Sequence, residues 1–166
     1  MPMQDLWHRD SLVWRFVWRD GHADFYEHPG VDPPPAWMDA LGSVARDLRC
    51  LRFGRDIRID RLIWELAING DYFVAIGWQG PRLGGFSRGE GMTMDASSEE
   101  AAVWVADAVQ TELAGYEFVQ WPSRGRQLYL PRLRGNRSVW IDPHTDTTVA
   151  PVGGLCDAVR QPAGHC

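Results

Sequence analysis

From Leu12 to His28, apolar and polar side chains alternate with the two-residue period of a half-buried strand, and Asp20-Gly21 interrupts the run near its middle. That dipeptide supplies the positive φ angles of a two-residue hairpin turn. It sets Arg19 opposite His22, Trp18 opposite Ala23, Phe16 opposite Phe25 and Arg15 opposite Tyr26. Leu12, Trp14, Phe16, Trp18, Ala23 and Phe25 then share a core face. Arg15, Arg19, His22, Asp24, Tyr26 and His28 share a polar face that water or a partner can reach.

A second run surrounds Asn69-Gly70. Read as a two-residue turn, it puts Leu62, Trp64, Leu66, Ile68, Phe73 and Ala75 on one face. Ile63, Glu65, Ala67, Tyr72, Val74, Ile76 and Trp78 fall on the other, with Glu65 opposite Val74. Both faces are largely apolar. The pair therefore belongs at the centre of a sheet, or one face lines a pocket or an interface. A third turn, Gly135-Asn136, sets Arg134 directly opposite Arg137, an arrangement of like charges that costs stability unless the side chains splay or an anion bridges them.

Helical periods separate the hairpins. Pro35 can open a helix whose stripe is Trp37, Leu41, Val44, Leu48 and Leu51, ending by Gly54 at the latest. Ser97 and Glu100 form a capping box, after which Ala102, Val105, Val109 and Leu113 define a second stripe that ends at Gly115. Short strands follow near 118–121, 127–133, 138–141 and 147–152, while the glycine-rich stretch Gly80 to Gly91 reads as an extended connection. The order ββ-α-ββ-α-βββ predicts an α+β domain of antiparallel hairpins with two helices, and it suggests a ββα duplication over 12–51 and 62–114. One domain over 1–155 and a fraying tail over 156–166 complete the expectation.

Composition excludes classes of chemistry. All 17 basic residues are arginine, the mark of a GC-rich genome, and without lysine the chain cannot form Schiff bases, attach pyridoxal phosphate or build a P-loop. No apolar run has the length of a membrane span and the first residues do not read as a signal sequence, so the expectation is a cytoplasmic protein with no membrane partner. Cys50, Cys156 and Cys166 have no Cys-x-x-Cys spacing; neither a thiolate zinc site nor a disulfide framework is indicated, and Cys50 reads as a small core residue. His22 and His28 lie about 20 Å apart along a strand, too far to share an ion. Asp142, His144 and Asp146 read as turn chemistry around Pro143. No metal and no cofactor are expected.

Charge is unevenly placed. Residues 118–141 hold Arg124, Arg126, Arg132, Arg134 and Arg137 and no acid, so the remainder of a chain of net charge −5 carries −10. Asp95, Glu99, Glu100, Asp107, Glu112 and Glu117 precede that segment with no base among them. The overall acidity makes nucleic acid an unlikely partner. A second arginine series, Arg46, Arg49, Arg52, Arg55, Arg58 and Arg61, is interleaved with Asp47, Asp56 and Asp60 and reads as solvated.

The C-terminal elements Trp121-Pro122, Leu130-Pro131, Val139-Trp140-Ile141-Asp142-Pro143 and Val149-Ala150-Pro151 resemble the tail of a group of uncharacterised actinobacterial proteins. In that group a Trp-Pro, a Cys/His-containing loop and a Val-Trp-x-Cys-Pro element form a small ribbon. Here Ser123, Arg124 and Asp142 stand at its cysteine and histidine positions, and the resemblance transfers no activity.

Two functions follow from the residues. The first is non-catalytic binding of a protein partner or anionic ligand through Arg126, Arg132, Arg134 and Arg137 together with exposed aromatic surface, since arginine forks and tryptophans concentrate at interface hot spots. The second is a small enzyme or ligand-binding protein of bacterial specialised metabolism with a pocket around Glu65, Tyr72 and Trp78. No catalytic residue is assigned, and oligomeric state is not legible.

Overall fold

The computed structural model describes residues 11–89 and 92–160. Strands β1 (Leu12–Arg19) and β2 (His22–Glu27) form the first hairpin, with Asp20 at φ 51° and Gly21 at φ 81° in its turn. Arg19 pairs with His22 and Phe16 with Phe25, as expected. A bulge between Arg15 and Phe16 then shifts the register, so Arg15 lies opposite Glu27 rather than Tyr26. Helix α1 (Pro35–Asp47) starts at the expected proline, and a two-residue strand β3 (Phe53–Gly54) follows it.

Strands β4 (Ile63–Ile68) and β5 (Val74–Gly80) form the second hairpin, but not with a two-residue turn. Ile68 pairs with Val74 and Trp64 with Trp78. The Asn69 side chain accepts the N–H groups of Asp71 and Phe73, at 3.0 and 2.9 Å, and builds a longer connection with Tyr72 at φ 65°. The register differs from the expected one by three residues, and an odd shift carries every β5 side chain to the opposite face. Val74, Ile76 and Trp78 therefore join Trp64, Leu66 and Ile68 in the core, whereas Glu65 faces Gly77 on the outer side.

The glycine-rich stretch contains a strand, β6 (Leu83–Arg88), that pairs with β5. Its middle is held by Glu117, a buried carboxylate that accepts the Gly84 N–H at 2.9 Å and pairs with Arg55. One five-stranded antiparallel sheet results, in the order β2-β1-β4-β5-β6.

Helix α2 (Ser98–Tyr116) opens on the expected capping box, Ser97 with Glu100. The short strands β7 (Val119–Gln120), β8 (Ser123–Arg124) and β9 (Gln127–Leu128) lead to a three-stranded sheet of β10 (Leu130–Arg134), β11 (Arg137–Asp142) and β12 (Thr147–Pro151). Gly135 at φ 53° and Asn136 at φ 62° make the expected two-residue turn, and Arg134 does oppose Arg137. Beyond it, of the tail expected to fray over 156–166, the part up to Arg160 belongs to a helix, α3 (Leu155–Arg160), and residues 161–166 lie outside the described residues. The observed class is α+β with antiparallel sheets, and the predicted element order holds with β6 and α3 as the main additions.

A single core unites these parts. Trp14, Phe16, Trp64, Leu66 and Trp78 from the large sheet meet Trp37, Leu41 and Val44 of α1, Val105 and Val109 of α2, and Trp121, Trp140 and Leu155 from the C-terminal elements. Full burial of each such side chain contributes about 1.5–3 kcal/mol before entropy is counted. Six tryptophans, Trp14, Trp37, Trp64, Trp78, Trp121 and Trp140, are no more than 2% exposed. They build the core and do not furnish an interaction surface. No helix among the described residues is long and apolar enough to cross a membrane.

Candidate functional site

The residues expected around a central pocket do not converge. Glu65, on the outer face of the sheet, accepts from Arg15 at 2.9 Å, and Arg15 also pairs with Glu27. Trp78 is 1% exposed in the core, with its ring edge-on to Trp64 and Phe86. Tyr72 sits on the turn, 65% exposed. The register shift described above separates them: Trp78 is on the core side of the sheet and Glu65 on the other.

The arginine hairpin is partly engaged within the molecule. Arg134 pairs with the Asp146 carboxylate and donates to its carbonyl oxygen at 2.9 Å. Arg137 lies near enough to Glu99 to help hold that carboxyl below its ordinary value, chiefly because the Ser138 hydroxyl and N–H donate to it at 2.6 and 2.5 Å. Arg132 donates to the Pro131 carbonyl at 2.9 Å, and Arg126 stands exposed on the separate β8–β9 turn. Asp142, in the Asp-Pro element, accepts the His144 N–H at 2.9 Å and forms a turn as expected. Among the described residues no three His, Cys, Asp or Glu side chains are grouped to hold a metal ion.

Where the first hairpin leans over α1, a cleft of about 960 Å³ opens. Trp18, Phe25 and Met38 supply its apolar surface, and the core residue Trp64 lies at its floor. The helix forms one wall because a glycine lies at its middle: a Cβ on Gly42 would sit 3.1 Å from the Trp18 ring. The Trp18 Nε1 is buried without a hydrogen-bond acceptor. Around this aromatic surface stand His22 from the hairpin, Asp39, Arg46 and Arg49 from α1 and the turn after it, and Asp60 from the approach to β4. Among the described residues, the side chains of His22, Asp39, Arg49 and Asp60 have no hydrogen-bond or ion-pair partner. Arg46 makes one side-chain hydrogen bond, to the Ser43 hydroxyl oxygen at 3.3 Å.

In the sequence, Trp18 and Phe25 fall on the core face of the hairpin and His22 on its polar face, Arg46 and Arg49 read as solvated, and none of them is assigned to a site. The available signal was Gly42-Ser43, two small residues between Asp39 and Arg46, the glycine being unusual in the middle of a helix.

The far end of the same helix is closed. Asp47, also read as solvated, is 0% exposed. Its carboxylate accepts from the Trp140 indole at 2.7 Å, the Gly153 N–H at 2.6 Å and the Leu155 N–H at 3.1 Å, and its carbonyl oxygen accepts from the Trp121 indole at 3.0 Å. Burial pushes its pKa up, and these donors pull it part of the way back. Next to it Cys50 and Cys156 are joined as a disulfide across 106 residues, with Cα atoms 5.7 Å apart. The expectation that Cys50 is a free core thiol is thereby corrected. A pairing over that separation leaves no local spacing signal.

Comparisons with protein-family models, with curated proteins and with solved structures return no match for this chain. The cleft and its chemistry are the basis for assigning a function.

Proposed function

We propose that the protein is a non-catalytic binding protein that receives a small ligand in the cleft between the β1–β2 hairpin and α1. The observation that carries this is the cleft itself, whose volume of about 960 Å³ falls within the range of ligand sites. Its apolar surface combined with a few unpartnered charges is the usual make-up of such sites. Ser43, the hydroxyl in the wall, accepts from Arg46 and has no histidine bonded to it among the described residues, which supports binding over nucleophilic catalysis. The arginine hairpin is a weaker basis, because Arg134 already has an acidic partner in the chain.

A cytoplasmic location, expected from the sequence, sits poorly with the Cys50–Cys156 bond, since disulfides persist mainly in oxidising compartments. Thiol counting on protein quenched directly from the producing cell decides between the two.

The function is tested by a thermal-shift screen of small molecules against the parent and a Gly42→Leu variant, whose added side chain must enter the space next to Trp18. Compounds that raise the parent's melting temperature and leave the variant's unchanged support the cleft. Compounds that stabilise both equally place the ligand elsewhere.

A further inference from the structure

The charges around the cleft are ordered along its helical wall, and that order names a ligand class; the argument rests on the cleft being the binding site. Asp39, Ser43 and Arg46 recur at intervals of four and three residues and share one face of α1. At about 1.5 Å per residue, Asp39 and Arg46 stand about 10 Å apart along the axis. Arg49 extends the basic end by a further turn, with its N–H on the Arg46 carbonyl oxygen at 3.2 Å. One end of the wall is therefore acidic and the other carries two guanidiniums. The Arg46 fork is engaged only through Ser43, and Arg49 has no side-chain partner among the described residues. A guanidinium presents donors in a plane that fits the two oxygens of a carboxylate. Trp18, whose ring lies against Gly42, and Phe25 line the same cleft, and aromatic side chains favour a flat apolar body.

We propose that the ligand is a small aromatic carboxylic acid, its ring against Trp18 and Phe25 and its carboxylate held by Arg46 and Arg49. A monoanion fits better than a dianionic phosphate ester, because Asp39 and Asp60 line the same cleft and repel a second negative charge. The length agrees as well: a fused ring with a one-carbon acid arm covers roughly the axial distance from Gly42 to Arg49, about 10 Å at the helical rise.

Isothermal titration with indole-3-acetate and with indole-3-acetamide tests this on the whole chain. The two probes share ring and length and differ in charge. Expected is binding of the acid about ten- to a hundredfold tighter than the amide, the size of a charge-assisted hydrogen-bonded pair. In Arg46→Gln/Arg49→Gln that preference is lost while the amide binds as before. Because Arg46 also rests against Gly153, Arg49→Gln alone is run beside the double variant, with melting curves as the control for folding. Equal affinity of acid and amide for the parent, with both lost in Gly42→Leu, overturns the ligand class and leaves the cleft as the site. Binding that survives Gly42→Leu unchanged, or no binding of either probe, overturns the aromatic-acid proposal, and in the first of these cases the cleft as well.

Discussion

Asp39 and Asp47 are the same side chain on the same helix, two turns apart, and they meet opposite conditions. Asp39 stands exposed on the wall of the cleft without a partner in the described chain. Asp47 is sealed from water beneath the C-terminal elements and gathers three donors. A carboxylate removed from water is tolerated only when hydrogen bonds replace its hydration, and the replacement then ties together the elements that supply the donors. An exposed carboxylate ties nothing down and stays available. The face of α1 that carries Asp39, Ser43 and Arg46 is thus open to the cleft, while Asp47 in the last turn, on another face, joins the helix to the C-terminal elements.

The largest expected effect tests the sealed end. Asp47→Ala leaves the Trp140 indole and the N–H groups of Gly153 and Leu155 without their acceptor, and should cost about 4 kcal/mol in chemical denaturation, given the penalty for unsatisfied buried donors. A loss below about 1 kcal/mol, the scale of an ordinary surface change, would dissolve the contrast. Next in size, Cys156→Ser should cost about 2–4 kcal/mol, and a reductant should lower the parent's melting temperature while leaving the variant's unchanged.

A smaller effect concerns pH. The folded-state pKa of Asp47 is raised, chiefly by burial, so the proton it holds favours the fold below its ordinary value of 3.8, and this contribution is lost as pH rises through the raised value. Stability of the parent relative to Asp47→Asn should therefore fall across that window and level off above it. A relative stability that rises across it would show a carboxylate stabilised in its charged form. Smallest of all, Asp39→Asn should leave stability within about 0.5 kcal/mol of the parent in thermal melts. A larger loss would mean that the open wall is structural too.

Sequence reasoning reached what is encoded locally. The turns at Asp20-Gly21 and Gly135-Asn136 and the Ser97–Glu100 box depend on residues within a few positions of one another, and all three formed. Asn69-Gly70 carries the same signal and failed, because the Asn69 side chain captured two backbone N–H groups and lengthened the connection. That single event moved Trp78 into the core and dispersed the pocket expected with Glu65 and Tyr72. The strand inside the glycine-rich stretch was hidden because its support, Glu117, comes from the end of a helix 33 residues later. The cleft brings Trp18 of the hairpin against Gly42 of the helix, more than twenty residues further along, and nothing local marks their approach except the small pair Gly42-Ser43. Asp47 was the more legible miss: three residues after Val44, it falls on the buried stripe of α1.

The disulfide between Cys50 and Cys156 also divides the chain mechanically. Everything from β3 to β12 lies inside the covalent ring it closes, whereas the first hairpin and α1 lie outside it. Under tension applied at the two termini, the oxidised ring bears the load through its sulfur bridge and the strands within it are spared. What can unravel on the N-terminal side is the hairpin and helix that enclose the cleft. A machine that threads proteins from the N-terminus would strip away the walls of the cleft first and then stall at a loop too wide for a single strand.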